Sequence, residues 1–309
     1  MSQFNYLKKT LCIGLLLSIT ACGGSGTSTD APTASVVKTG YFIDSAVAGL
    51  EYVSGNTRGI TSSDGAFQYE EGKPVSFYIG NMRLGSLTVT NQRVFPLDLV
   101  ADAADESDPK VLLMAQILQT LDSDGDPSNG ITITDTARKA ITHAIEVATA
   151  DPTQTVQAIT QLLASATANR ASVLISETDA KNHMKANLLK EYVGTWTGTY
   201  TGTEKGTCDF SINLSEDESS ASISGYCLPS ISQPVIDPPT LDQNSEPISQ
   251  GAINNIFTDE FPSSGNFSGT LSDSAEFKGR FNRNGTMTGS WTRASYGGTW
   301  SLTKQAQAQ

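Results

Sequence analysis

Apolar positions along the chain change their period twice, and the changes mark three regions. From residue 38 to 100 the runs are short and alternating: Phe67 and Tyr69 alternate with Ala66, Gln68 and Glu70, and Val75, Phe77 and Ile79 with Ser76 and Tyr78. Period-two alternation places one face of each strand in a core. Ser63-Asp64-Gly65 and Glu71-Gly72-Lys73-Pro74 supply turn chemistry between runs. A β-sandwich of about six strands is predicted here. From 101 to 192 the period becomes helical. Val111, Leu112, Met114, Ala115, Leu118 and Leu121 define one helix, and Ala140, Ile141, Ala144, Ile145 and Ala148 a second over 135–150. Asp151-Pro152 opens a third as N-cap and first turn, and Ser176 opens a fourth over 176–192. From 193 to 305 strands return in glycine-aromatic phrases such as VGTWTGTYTG, AEFKGRF and GTMTGSW. Strands about ten residues apart with glycine turns predict an antiparallel barrel or sandwich. Residues 228–251, rich in Pro, Ser and Asp, interrupt it as a long insertion. The expected class is therefore mainly β with a helical middle segment, a multi-domain α+β chain. It comprises an N-terminal β-sandwich, a small helical domain and a C-terminal β-barrel.

The first 21 residues stand apart. Lys8 and Lys9 precede an apolar run over 10–21, about half the ~20 residues that a membrane-spanning helix needs. This is the form of a cleaved export signal. The run ends at Ile19-Thr20-Ala21-Cys22, which resembles the bacterial lipobox. The resemblance implies that Cys22 is lipidated on its sulfur, becomes the first residue after cleavage and is acylated on its new amine. The alternative is an ordinary secretory signal with a cysteine there by chance. Two or more acyl chains make a stable anchor, at ~0.8 kcal/mol per buried methylene. Gly23 stands where an Asp would resemble an inner-membrane retention signal, and this implies outer-membrane delivery, with the face undetermined. Residues 22–37, small and polar, read as a lipidated flexible tether.

Two further resemblances concern the folded regions. Val47, Gly49, Gly59, Thr61, Gly65, Phe67 and Tyr69 fit a pattern similar to carboxypeptidase-regulatory-like and prealbumin-like sandwiches, which implies a spacer or adhesion module. Phe277, Gly279, Phe281, Gly285, Gly289 and Trp291 resemble the phrases of lipocalin-like and transferrin-binding-protein-like barrels of surface lipoproteins. The block LLMAQILQTLDSDGDPSNGITI resembles one found in uncharacterised Gram-negative envelope lipoproteins.

Charge and cysteine count narrow the function classes. The net charge is −12, and loss of Lys8 and Lys9 with the signal takes it to about −14. That argues against nucleic-acid partners. Cys12 leaves with the signal and Cys22 takes lipid, so Cys208 and Cys227 remain, as a disulfide in an oxidising compartment or as two buried thiols. A disulfide there would be worth roughly 3 kcal/mol in the chain-entropy account.

Candidate chemistry is sparse. Asp122, Asp124 and Asp126 at alternate positions, with Asn129, supply oxygens of the kind that calcium takes. The spacing resembles half an EF-hand loop, but Pro127 stands where that loop wants Gly, and Ile133 where it wants Glu. The other reading is an Asp-rich turn whose carboxylates cap nearby amides. His143 and His183 are the only histidines, too few for a zinc site by themselves. No G-x-S-x-G elbow, Walker loop or dinucleotide fingerprint occurs in a fitting context, and no catalytic residues are assigned. Trp196, Trp291 and Trp300 are barrel core or a stacking surface for a ligand. The leading expectation is a non-enzymatic, lipid-anchored outer-membrane lipoprotein with an adhesion or scaffold role. The alternatives are a surface lipoprotein that captures a small molecule, protein or glycan through its C-terminal barrel, and an unrecognised hydrolase.

Overall fold

In a computed structural model of the chain, the described residues are 35–230, 252–253, 263–270 and 275–306. The export signal, Cys22 and the tether up to residue 34 lie outside them, as does most of the predicted insertion.

The alternating runs form eight strands: β1 (Val37–Phe42), β2 (Val47–Ala48), β3 (Glu51–Ser54), β4 (Thr57–Ile60), β5 (Ala66–Glu70), β6 (Pro74–Ile79), β7 (Met82–Thr88) and β8 (Arg93–Val94). Two sheets result, in the orders β4-β3-β6-β7 and β5-β1-β8. Phe42 and Phe67 from the smaller sheet meet Phe77 from the larger, with ring centroids 4.8 and 4.9 Å away and edges turned to faces. That geometry suits the ring quadrupoles and adds about 0.5–1.5 kcal/mol per pair beyond burial.

Five helices follow among the described residues: α1 (Pro96–Leu99), α2 (Pro109–Leu121), α3 (Asp135–Ala140), α4 (Pro152–Ala166) and α5 (Glu177–Lys190). The side chains of Asp108, Asp151 and Ser176 each accept from a first-turn amide of α2, α4 and α5. Those orphan amides would otherwise go unpaired. The second predicted helix is shorter than expected. It stops at Ala140, and residues 141–148 run alongside β7. Arg83 N–H donates to the Ile145 carbonyl at 2.8 Å, and the amides of Val147 and Ala148 donate to Arg83 and Leu84. The edge of β7 has amides and carbonyls to satisfy, and this demand outweighs the helical period. Ala144, expected inward, is exposed.

The helices complete the sandwich. One continuous core runs from Phe42 through Phe77, Leu118 and Leu163 to Leu188. Strand β9 (Ile131–Thr132) returns from the helical segment to pair in parallel with β2.

The C-terminal strands are β10 (Gly194–Gly202), β11 (Gly206–Leu214), β12 (Ala221–Pro229), β13 (Ala252–Ile253), β14 (Asn266–Thr270), β15 (Glu276–Phe281), β16 (Thr286–Arg293) and β17 (Tyr296–Lys304). They form one antiparallel sheet in the order β13-β12-β11-β10-β17-β16-β15-β14. The sheet curls into a half-barrel of seven long strands. No pairing joins its two ends among the described residues, and the expected barrel or sandwich takes the form of this half-barrel. A second core fills its inner face, from Leu189 to Leu302. Leu188 and Leu189, adjacent on α5, belong to different cores.

The glycine-aromatic phrases have a packing reason. Gly279 and Gly289 sit opposite one another on β15 and β16. A Cβ on either would lie 2.5–2.6 Å from the ring of Trp300. The indole lies across this pair of bare backbones. Gly289→Ala should therefore destabilise the fold by about 1–3 kcal/mol, the usual cost of overpacking. The Lys278 carbonyl would lie nearer still to a Cβ on Gly289; urea unfolding checks the prediction, and an unchanged midpoint would mean that both the ring and the β15 backbone can give way.

Candidate functional site

The Asp-rich loop links α2 to β9. Asp122, almost fully buried, accepts from Thr132 N–H at 2.8 Å and Gly125 N–H at 3.1 Å. Asp124 accepts from Asp126 N–H at 2.9 Å and from the Asn129 side-chain amide at 3.1 Å. Asp126 accepts from both the backbone and the hydroxyl of Ser128. Arg170 lies over the loop and donates to the carbonyls of Thr120 and Asp122, closing the C-terminal end of α2. Asp122 and Asp124 do come together. Burial and the neighbouring Asp124 raise the Asp122 carboxyl, while the Asp126 amide and the Asn129 side chain lower that of Asp124. Asp126, however, turns to Ser128, and Asn129 presents its nitrogen. Among the described residues, no three His, Cys, Asp or Glu side chains are grouped to hold a metal ion. As folded, the four predicted ligands do not fit calcium; they cap a turn.

A second cluster was not foreseen. Strands β1 and β2 are joined by a two-residue turn, Asp44-Ser45, with Ile43 and Ala46 bridged across it. Ser45 takes a φ of +55°, a region that L-residues other than Asn and Asp rarely enter. The turn drives Asp44 inward to zero exposure. One of its oxygens accepts from Gln119 Nε2 of α2 at 2.9 Å, and the same Nε2 lies 3.3 Å from the Ala180 carbonyl. The other oxygen, Oδ1, has no partner, nor has Gln119 Oε1. From α5, His183 Nε2 approaches Ser45 Oγ at 3.2 Å, the Asp44 carbonyl at 3.3 Å and Asp44 Oδ1 at 3.9 Å. Asn187 Nδ2 is 3.1 Å from the same nitrogen. Burial pushes the Asp44 carboxyl up to about 7, the Gln119 hydrogen bond offsetting part of the effect. Burial pulls His183 down, against the opposing pull of the Asp44 carbonyl.

Serine, histidine and aspartate thus meet, but not as a hydrolase triad. A triad sets the serine on one ring nitrogen and the acid on the other. Here both face Nε2. In the sequence His183 stands between Lys181 and Lys185, and Asp44 at the end of a strand-forming run, with nothing local to single out either. Asp44 reaches Gln119 across 75 positions and Ser45 reaches His183 across 138, so no local pattern joins them.

A polar cleft of about 210 Å³ opens where the sandwich meets the C-terminal sheet, lined by Thr90, Leu97, Tyr192, Arg280, Arg283 and Asn284 among others. Arg283 is committed to Asp98 through both nitrogens and packs on the Phe95 ring at 4.9 Å. Tyr192 donates to the Ser263 carbonyl, and burial raises its phenol to about 12, so it stays neutral. The three tryptophans are core. Their indole N–H groups donate to the carbonyls of Tyr192, Thr201 and Ser290. Cys208 and Cys227 sit opposite each other on β11 and β12 and form a disulfide.

No protein-family model matches the chain, and no significant similarity joins it to a characterised protein or a solved structure.

Two predictions follow from this geometry. The folded state holds a proton on Asp44 that an unfolded chain, with an ordinary value of 3.8, has already shed. The stability from this group should fall as pH rises from about 4 to 7, then level off. His183 acts oppositely, costing stability as pH drops below 6.5. With chelator present, Asp44→Asn should flatten the decline between pH 4 and 7 and unfold later than wild type at pH 8. Identical urea-midpoint profiles would show that Asp44 is charged and compensated. In the loop, Asp122→Ala should cost about 1–3 kcal/mol by stranding two amides, and millimolar calcium should leave the melting temperature unchanged. A calcium-dependent rise that Asp124→Asn abolishes would show the loop reopening around the ion.

Proposed function

We propose that the chain is a lipid-anchored outer-membrane lipoprotein that works without catalysis, as an adhesion or scaffold unit of the cell envelope. The observation that carries this reading is the run Ile19-Thr20-Ala21-Cys22 behind an apolar stretch too short to span a bilayer, followed by a small-residue tether. The disulfide agrees with an oxidising, exported location. The resemblance of the first strands to regulatory-like sandwiches agrees with a spacer role, and the histidine–serine–aspartate cluster lacks the two-sided imidazole that acyl transfer needs.

A second reading, ligand capture, is favoured by the cleft between the sandwich and the C-terminal sheet. Hydroxyls, amides and the exposed Arg280 there suit a polar small molecule or glycan rather than an apolar one. The predicted mouth over 228–251 lies mostly outside the described residues.

Expression in a Gram-negative host with radiolabelled palmitate tests the anchor. The mature chain should carry label and fractionate with outer membranes, and Cys22→Ser should lose the label and accumulate as precursor or soluble protein. Label retained in Cys22→Ser, or none in wild type, would remove the basis of the proposal. Protease treatment of intact cells, with a tag after Thr303, then separates a surface adhesin, which is cut, from a periplasmic scaffold, which is spared.

A further inference from the structure

We propose that Asp44, Ser45 and His183 form a binding site for one divalent first-row transition-metal ion of the zinc-to-manganese kind. The case rests on convergence. Three oxygen atoms, Ser45 Oγ and the carbonyl and Oδ1 of Asp44, lie 3.2, 3.3 and 3.9 Å from a single imidazole nitrogen, His183 Nε2. Ligands bonded to one ion at roughly 2.0–2.2 Å stand roughly 3.0–3.6 Å from one another. Two of the three distances to Nε2 lie in this range, and the carboxylate oxygen at 3.9 Å needs a small inward shift to join them.

The lone pairs themselves call for a positive charge. A carbonyl oxygen, and a carboxylate oxygen once an ion has displaced its proton, are acceptors only, and they face a nitrogen that carries one proton at most. Asp44 Oδ1 is fully buried and has no hydrogen-bond partner, a costly state for a carboxylate. An ion at the convergence point gives that oxygen its partner. Imidazole and carboxylate together suit a borderline ion better than calcium, which takes oxygens alone. Two strong ligands and two neutral oxygens predict moderate affinity. His183 retains 16% side-chain exposure, which leaves an entry path and room for water as a further ligand.

The surroundings hold these ligands in place. Gln119 fixes the second carboxylate oxygen at 2.9 Å. Asn187 Nδ2 is anchored to the His183 carbonyl at 3.0 Å and would keep that bond on giving up its contact with Nε2. Such outer partners orient metal ligands. The left-handed Ser45 turns its own hydroxyl and the carbonyl before it toward one point, so the strained residue is where a site would need it. The ion would tie the β1–β2 turn to α5, and through α5 reach the C-terminal sheet.

The test uses the full-length chain in detergent, stripped with chelator. Zinc is titrated by calorimetry and cobalt(II) by visible absorption. The expected result is one ion per chain, a melting midpoint several degrees higher with zinc, and a cobalt d–d spectrum in the visible. His183→Ala should weaken zinc at least tenfold and abolish the spectrum. His143→Ala, which alters an exposed histidine, should change neither. Asp44→Asn, which keeps the fold in chelator, should lose binding as well, and the histidine pair of variants decides independently of it. No uptake of zinc or cobalt below millimolar concentration, or uptake that survives His183→Ala, would overturn the proposal.

Discussion

A carboxylate with no access to solvent sets the terms for the first two thirds of this molecule. Asp44 is driven inward by a two-residue turn that only a left-handed Ser45 can close. A buried carboxylate is tolerated only when other groups compensate for its lost hydration. Gln119 from α2 and His183 from α5 come to it, so the turn, the central helix and the last helix must be correctly placed together. The same turn positions β2. The carbonyls of Ala46 and Ala48 receive the amides of Ile131 and Ile133, each at 2.9 Å, and this fixes the far end of the Asp-rich loop. Sandwich, loop and helices are therefore one packing problem with one core.

The C-terminal sheet depends on that arrangement through α5. Its last turn passes from one core to the other between Leu188 and Leu189, and Tyr192 and Trp196 follow into the second core. Three polar contacts hold the junction: Asp98 with Arg283 and Glu106 with Ser263 reach the C-terminal region, and Arg93 of β8 holds Glu191 at the end of α5. In all three the acid is partly or almost fully buried, where screening by solvent is weaker than for an exposed group. Within the sheet, Trp300 lies over Gly279 and Gly289 and the Cys208–Cys227 bond pins the β11–β12 register. The groups that looked most like chemistry in the sequence, the loop aspartates and the tryptophans, are taken up by structure. Two of the buried polar atoms left without a hydrogen-bond partner lie elsewhere, on Asp44 and Gln119.

What could be read from the residues was what local physics decides. Alternation in Phe67–Tyr69 and Val75–Ile79 became strands, and Asp108, Asp151 and Ser176 became caps, because each depends on neighbours a few positions away. The pairing of Cys208 with Cys227 followed from counting. The features that escaped depend on distant parts of the chain. Residues 141–148 have a helical apolar period, yet they extend along β7 because an edge strand offers them hydrogen bonds. The degree to which the C-terminal sheet curls depends on strand number, tilt and shear, which no glycine-aromatic phrase encodes. The Asp44 cluster joins positions 44, 119 and 183, and only the fold brings them within hydrogen-bonding distance.

The claim on which this account rests is that sandwich and helices share one cooperative core centred on Asp44. Native-state hydrogen exchange tests it directly, comparing amides of β6 with those of α2 and α5 across low concentrations of denaturant. The account predicts that the slowest amides of all three elements converge on one opening free energy and one denaturant dependence. Helical amides that exchange through a separate, lower-energy opening while β6 remains protected would contradict it.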